Sequence, residues 1–334
     1  MLYHNIVRPI AEDSPMNSPV NVCNTPLRTV LAALILTAAI LGPAGRAGAD
    51  VRVTASIAPV HSLAAQVMSG AGAPRLLIPG GVSPHGFALT PSQARLLSET
   101  QVLIWIGPGL EAALAKPIAN LAEGAQVVAL SATPGLVRRA IRRLDDGHGH
   151  DAKRGHDHGA GSEDAHYWLD PENAKTMITA IAEVLVAADP ARKDLYDRNA
   201  AAARRRIDAL TADFKGRLAP LAGRPFVVFH DAFQYLERRF GLAAVGILSA
   251  DPDRPAGVRH VADLRARIRR LNVTCLFTEP QFPSRLATAL IEGTATRIGI
   301  LDPLGSGLAP GPDLYGKMMT ANLRAFEACL GGNP

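Results

Sequence analysis

Residues 170–221 read "DPENAKTMITAIAEVLVAADPARKDLYDRNAAAARRRIDALTADFKGRLAPL". Asp170-Pro171 has the form of a helix N-cap followed by proline at the first helical position, and Asp189-Pro190 repeats it. The residues after each signal are alanine-rich, with apolar positions at helical spacing. Two helices therefore follow one another, and the second, over roughly 28 residues, would be about 40 Å long. Such a helix midway along a chain suits a stiff connector between two lobes; a packed helix pair within one domain is the alternative.

On either side of this stretch the pattern changes to short runs, apolar on both faces, alternating with amphipathic ones. Strands are expected at Val51–Ile57, Arg75–Ile78, Val102–Ile106 and Gln126–Leu130, then at Phe226–Phe229, Ala243–Ile247, Thr274–Phe277 and Arg297–Ile300. Helices are expected at His61–Met68, Pro91–Glu99, Leu110–Asn120, Ala232–Phe240, Gly257–Leu271, Pro283–Glu292 and Leu314–Leu330. The repeated βα order predicts an α/β protein with two parallel-sheet lobes joined by the long helix. The expected boundaries are 50–169 for the first lobe, 170–221 for the connector and 222–334 for the second lobe.

Residues 1–49 are expected to be removed. Arg28 precedes an uncharged apolar run from Val30 to Leu41, and Ala47-Gly48-Ala49 forms a small-residue cleavage site. The run falls well short of the roughly 20 residues that span a bilayer. A secreted chain, held in the periplasm, follows. Cys275 and Cys329 remain after Cys23 is lost, and an even pair in an oxidising compartment suggests one disulfide. Closing a loop of about 55 residues would contribute about 4 kcal/mol. Two separate buried thiols are the alternative.

The formal charge of +5 falls to about +4 once Arg8, Arg28 and Arg46 leave with Glu12 and Asp13. The arginines cluster in "RRAIRRL" (138–144), "RRRID" (204–208) and "RARIRR" (265–270), each read as a solvated helix face. Nucleic acid is a poor partner, because only 5% of residues are aromatic and base-stacking platforms are scarce. "GPGLEA" and "GSGLAPG" match neither a dinucleotide nor a Walker phosphate pattern.

The segment from Asp145 to Ala165 holds His148, His150, His156 and His158 among glycines and acidic residues, with alanine as its only apolar residue type. It cannot bury enough surface to offset the entropy of ordering, so disorder is expected. Three histidines elsewhere share a different setting. His85 follows the strand ending at Ile78, His166 precedes a capped helix, and His230 ends "FVVFH". Ligands of open α/β sheets bind beyond the carboxyl ends of strands. Three imidazoles converging between lobes would suit Zn²⁺ or a similar divalent ion. Their separations of 81 and 64 residues carry no motif, and structural histidines are the plain alternative. His61 reads as a surface or cap residue, His260 as exposed, and Trp105 and Trp168 as packing residues.

The blocks "SPHGFALTPSQARLL", "VLIWIGPGLEAAL", "HYWLDPENA", "FVVFHDAFQYLERRFGL", "FTEPQF" and "ILDPLG" resemble those of the periplasmic zinc-binding proteins of ABC-type zinc uptake systems. The resemblance runs from about Val51 to Leu330 and includes the His-rich insertion before "HYWLDP". It implies two α/β lobes joined by one rigid helix, with the metal site in the cleft. It places the family's histidine ligands on His85, His166 and His230, and its disulfide on Cys275 and Cys329. It also implies Zn²⁺ as the transported ligand, an inner-membrane permease and its ATPase as partners, and no enzymatic activity. A monomer is expected.

The fourth ligand stays open. Some relatives carry glutamate before the first histidine, where Pro84 stands here. Related lobes place an aspartate at the position of Asp302, while Glu279 in "TEP" and a water are the other candidates. Three imidazoles with at most one carboxylate favour zinc over manganese. The loop histidines read as weak auxiliary ligands that collect zinc, or as a tolerated insertion. A secreted zinc hydrolase and a metal buffer or adhesin are the competing functions.

Overall fold

The computed structural model describes residues 50–142, 163–249, 256–282 and 285–332. The expected leader (1–49) and the four loop histidines lie outside these residues.

All eight expected strands form: β1 (Val53–Ala55), β2 (Arg75–Leu76), β3 (Val102–Trp105), β4 (Gln126–Ala129), β5 (Phe226–Val228), β6 (Gly246–Ile247), β7 (Cys275–Thr278) and β8 (Arg297–Ile300). β8 has the expected bounds and β7 is shifted by one residue, while the other six are shorter than the apolar runs that mark them. The first sheet has the order β2-β1-β3-β4 and the second β6-β5-β7-β8, and every pairing is parallel. The two halves thus repeat one topology. In each, the chain leaves the first strand of its half toward one edge and returns to the other side of it. The resulting switch points lie between β1 and β3 and between β5 and β7, where a crevice opens beyond the strand ends.

The helices are α1 (Ala58–Val67), α2 (Pro91–Ser98), α3 (Ala115–Leu121), α4 (Pro171–Ala188), α5 (Lys193–Leu218), α6 (Gln234–Phe240), α7 (Val258–Arg270), α8 (Arg285–Ile291) and α9 (Leu314–Leu330). Asp170 caps α4 by accepting from the Glu172 amide, with Pro171 in the first turn. Asp189 departs from its expected role. A short 3₁₀ turn over Pro190–Arg192 precedes α5, and the Asp189 carboxylate accepts from Arg192 and Tyr196 instead of capping the helix. At 26 residues, α5 spans about 39 Å. Its buried stripe of Tyr196, Ala200, Ala203, Ile207, Phe214 and Leu218 lies against α1, α4 and α9. Gly241, at φ +74°, ends α6 in the left-handed conformation that a side chain would strain.

One hydrophobic core runs from Val53 and Ile104 of the first sheet, through α4 and α5, to Phe226, Phe277 and Phe326 in the second half. A smaller cluster under α7 and α8 covers the other face of the second sheet. The disulfide Cys275–Cys329 ties β7 to the last turn of α9 across 54 residues. Among the described residues, no helix is long and apolar enough to cross a membrane.

Three local expectations are corrected. Residues 138–142 are not a solvated helix face: Ala140 pairs in an antiparallel bridge with Glu163, and the Arg142 side chain is only 10% exposed. Residues 163–165, expected within the disordered segment, are folded. Asp164 and Ala165 are buried, because the Asp164 carboxylate accepts from His166 and its backbone pairs with Arg139. His61 is buried rather than superficial, one ring nitrogen meeting the Pro74 carbonyl at 2.9 Å, and burial lowers its pKa. His260 is exposed as expected.

Candidate metal centre

His230 stands two residues beyond β5 and Glu279 one residue beyond β7. These strands pair directly, with Val228 opposite Phe277, so the second sheet's switch point sets the two side chains together. Nδ1 of His230 lies 2.5 Å from Glu279 Oε1. His166 leads into a 3₁₀ turn over Tyr167–Leu169 that hands the chain to the Asp170 cap. Asp164 Oδ1 accepts from the His166 backbone amide at 3.0 Å and lies 2.8 Å from its Nδ1. His85 comes from the loop between β2 and α2. A capping box between Thr90 and Gln93 fixes the far end of that loop.

The three imidazoles converge. Ring centroids are 5.4 Å apart for His85 and His166, 5.7 Å for His85 and His230, and 5.1 Å for His166 and His230. One nitrogen from each lies within 4.8 Å of the others, and this is the only such group of metal-ligating side chains among the described residues. Nε2 of His166 and Nε2 of His230 are 3.2 Å apart. An ionised carboxylate only accepts hydrogen bonds, so each Nδ1 facing one carries the proton. With both rings neutral each Nε2 then presents a lone pair, and a cation must stand between them: a proton carried by His230 in the empty site, or a metal ion in its place. The spacing fits a tetrahedral zinc site, whose ligands at 2.0–2.1 Å lie about 3.3 Å from one another.

His166 and His230 are 7% and 5% exposed. Burial, with the charge of His230, lowers the His166 pKa well below 6.5. Burial also acts to lower that of His230, but the Glu279 carboxylate, joined by Asp164 and Asp231, outweighs it and raises the pKa above 6.5. Burial pushes Asp164 up to about 7. Trp168 stacks at a tilt on His166, with centroids 5.3 Å apart, and its indole N–H donates to the Pro303 carbonyl at 2.8 Å. With Phe282, Pro303 and Leu304 it walls the site with apolar surface.

Asp302 does not join the cluster. Its carboxylate accepts from the backbone amides of Leu304, Gly305 and Ser306, from the Gln281 amide and from the Ser306 hydroxyl. The position at a strand end that singled it out serves a turn instead. Sequence reading missed Asp164, which sits two residues before His166 in a segment expected to be unstructured. It also missed Arg142, which binds Asp231 beside His230.

Two lobes of one topology, meeting across three imidazoles, define a two-lobed metal-binding protein. The chain belongs to the family described as "Zinc-uptake complex component A periplasmic", whose profile matches residues 53–329. It is 38% identical to the high-affinity zinc uptake system protein ZnuA of Brucella abortus over 316 residues, covering 85% of this chain and 93% of that one. Identity to the ZnuA of Paracoccus denitrificans is 35%, covering 90% and 98%. Among solved structures, a ZnuA crystal structure superposes with a TM-score of 0.72 at 24% identity, covering 84% of this chain and 99% of that one. The periplasmic zinc-binding protein TroA from Treponema pallidum gives 0.71 at 23%, with the same coverage.

Proposed function

We propose that the chain captures Zn²⁺ in the periplasm, on His85, His166 and His230, and delivers it to a membrane permease driven by an ATPase. The observation that carries this reading is the convergence of three imidazole nitrogens between the lobes, two of them Nε2 atoms 3.2 Å apart. Family membership supplies the transport context. The apolar wall and the near-complete burial of two ligands leave room for an ion rather than a larger substrate, which favours a binding protein over an enzyme. The leader is proposed to end near Ala49. Metal analysis of the purified mature chain, with growth rescue in zinc-poor medium in the presence and absence of the permease, tests the whole reading. Rescue that ignores the permease would count against delivery.

Zinc affinity should fall with acid in an uneven way. Bound zinc requires neutral imidazoles. His230, with its pKa above 6.5, begins to take up a proton above that pH, so zinc must displace the proton there. His166, far below 6.5, stays neutral and does not compete until much lower pH. The slope should therefore grow by one proton as pH falls through the His230 value, and gain the His166 proton only at much lower pH. Calorimetry between pH 8 and 5 reads this directly, and an immediate three-proton slope would contradict it.

The histidines at 148, 150, 156 and 158 are proposed as weak auxiliary ligands. The neck of their segment is closed by the Ala140–Glu163 bridge and the Asp164 amide on the Arg139 carbonyl. Deleting 147–161 should therefore keep one tight zinc equivalent, remove the weaker ones and leave metal-free stability almost unchanged. Zinc titration of the deletion variant against the full mature chain checks it; loss of the tight equivalent would refute the division.

A further inference from the structure

Asp164 and Glu279 stand in the same relation to different histidines. Each places one oxygen against Nδ1 of its ring, Asp164 Oδ1 at 2.8 Å from His166 and Glu279 Oε1 at 2.5 Å from His230. Each is buried, at 4% and 5% exposure, and the second oxygen of each has no hydrogen-bond partner. A buried carboxylate left half satisfied needs a reason to be there. Folding alone would be served as well by an amide or an apolar side chain.

We infer that Asp164 and Glu279 are positioning residues for the metal: they fix the tautomer and aim of His166 and His230, and together balance the charge of a divalent ion. The inference rests on the zinc-binding reading above. The two nitrogens of an imidazole face opposite edges of the ring. A carboxylate on Nδ1 therefore lies behind the ring, away from an ion at Nε2. This removes Glu279 from the candidates for a fourth ligand and gives it a different task. Each carboxylate holds the proton on Nδ1, which leaves Nε2 as the donor atom and raises its basicity.

The charges agree with this assignment. Three neutral imidazoles add nothing to an ion of charge +2, and the two carboxylates touching the ligand rings supply −2 once the arriving cation has ionised Asp164, which burial pushes up to about 7 in the empty site. Asp231, next in sequence to His230, is instead held by Arg142. The setting is also rigid. Tyr235 of α6 donates its hydroxyl to the Asp164 carbonyl at 2.9 Å and accepts the Arg139 amide at 3.0 Å. The partner of the first-lobe ligand is thus pinned by the second lobe.

The test compares the full mature chain with Glu279→Ala, Glu279→Gln, Asp164→Asn and His230→Ala. Zinc affinity is measured by chelator competition, the ligand field by the visible spectrum of the Co²⁺ form, and folding by unfolding of the metal-free protein. Glu279→Ala should weaken zinc by about 10–100-fold and alter the Co²⁺ spectrum. Glu279→Gln and Asp164→Asn retain an acceptor oxygen but not the charge. They should keep a near-normal Co²⁺ spectrum with an intermediate loss of affinity. Should Glu279→Ala fail to fold, the isosteric Gln and Asn variants decide: zinc affinity equal to wild type in both overturns the inference. Wild-type affinity and spectrum in a folded Glu279→Ala overturn it as well. If the wild type binds no zinc, or His230→Ala binds it unchanged, the zinc-binding reading itself fails.

Discussion

His230→Ala binds zinc more weakly than the wild type by a factor larger than the roughly 100-fold that bounds the loss of a second-layer carboxylate. The reason is the small number of ligands. Three imidazoles converge, and no other ligating side chain among the described residues joins them. Removing one leaves two nitrogens in a pocket that is too buried to admit several waters in its place. The variant also strands Glu279, which loses the proton that its Oε1 accepts and then holds a charge at 5% exposure with no partner for either oxygen. His166→Ala should act in the same way through Asp164. His85→Ala should reach a similar loss by a simpler route, since His85 is only half buried. Titration calorimetry with a competing chelator measures all three. Zinc binding at wild-type strength in the His230 variant would disprove the site.

Arg142→Met destabilises the metal-free protein by about 3–5 kcal/mol. Arg142 faces two carboxylates. Its Nε and Nη2 donate to Asp231, at 2.9 and 2.6 Å, and its Nη1 and Nη2 donate to Glu237, at 2.6 and 2.7 Å. Glu237 is fully buried and also accepts the Ala244 amide at 2.8 Å. Both carboxylates raise the Arg142 pKa against the opposing effect of burial, so the guanidinium is charged at any working pH. Taking it away leaves a carboxylate in the core without its counter-ion, which costs far more than an exposed pair. Denaturant unfolding gives the number. The double variant Arg142→Met with Glu237→Gln should recover part of the loss, because only Asp231, at 14% exposure, is then left without its counter-ion. A change below about 1 kcal/mol in the single variant would mean that water reaches Glu237.

The fold was legible because its signals are local. Apolar runs bounded by turn residues marked all eight strands, and Asp170-Pro171 marked the start of α4. Periodicity reached α9 to the residue. The histidine trio was legible through position, at the ends of strands or just before a cap. What the sequence concealed depends on partners far along the chain. Asp302 and Glu279 sit alike at strand ends, yet one closes a turn on amides two to four residues ahead, while the other meets an imidazole 49 residues away. Arg142 resembled its neighbours in a basic run until the fold brought it Asp231, beside His230, and Glu237, on α6. Asp164 belonged by composition to the polar insertion, and only the fold of its neck separates it from the residues before it.

The continuous core sets how an ion can leave. Val53 and Ile104 in the first sheet and Phe226 and Phe326 in the second half belong to one apolar mass, with α5 inside it. Parting the lobes like jaws would tear that mass open, at about 2.5 kcal/mol for every 100 Å² of apolar surface wetted. Shifting the loop over residues 79–90 wets far less, chiefly Phe87, its one member of that core. The half-buried His85, carried between β2 and α2 on residues 79–90, is the ligand on the cheapest moving part. On that energy scale a rigid vice with one adjustable screw costs less to open than a trap with two jaws.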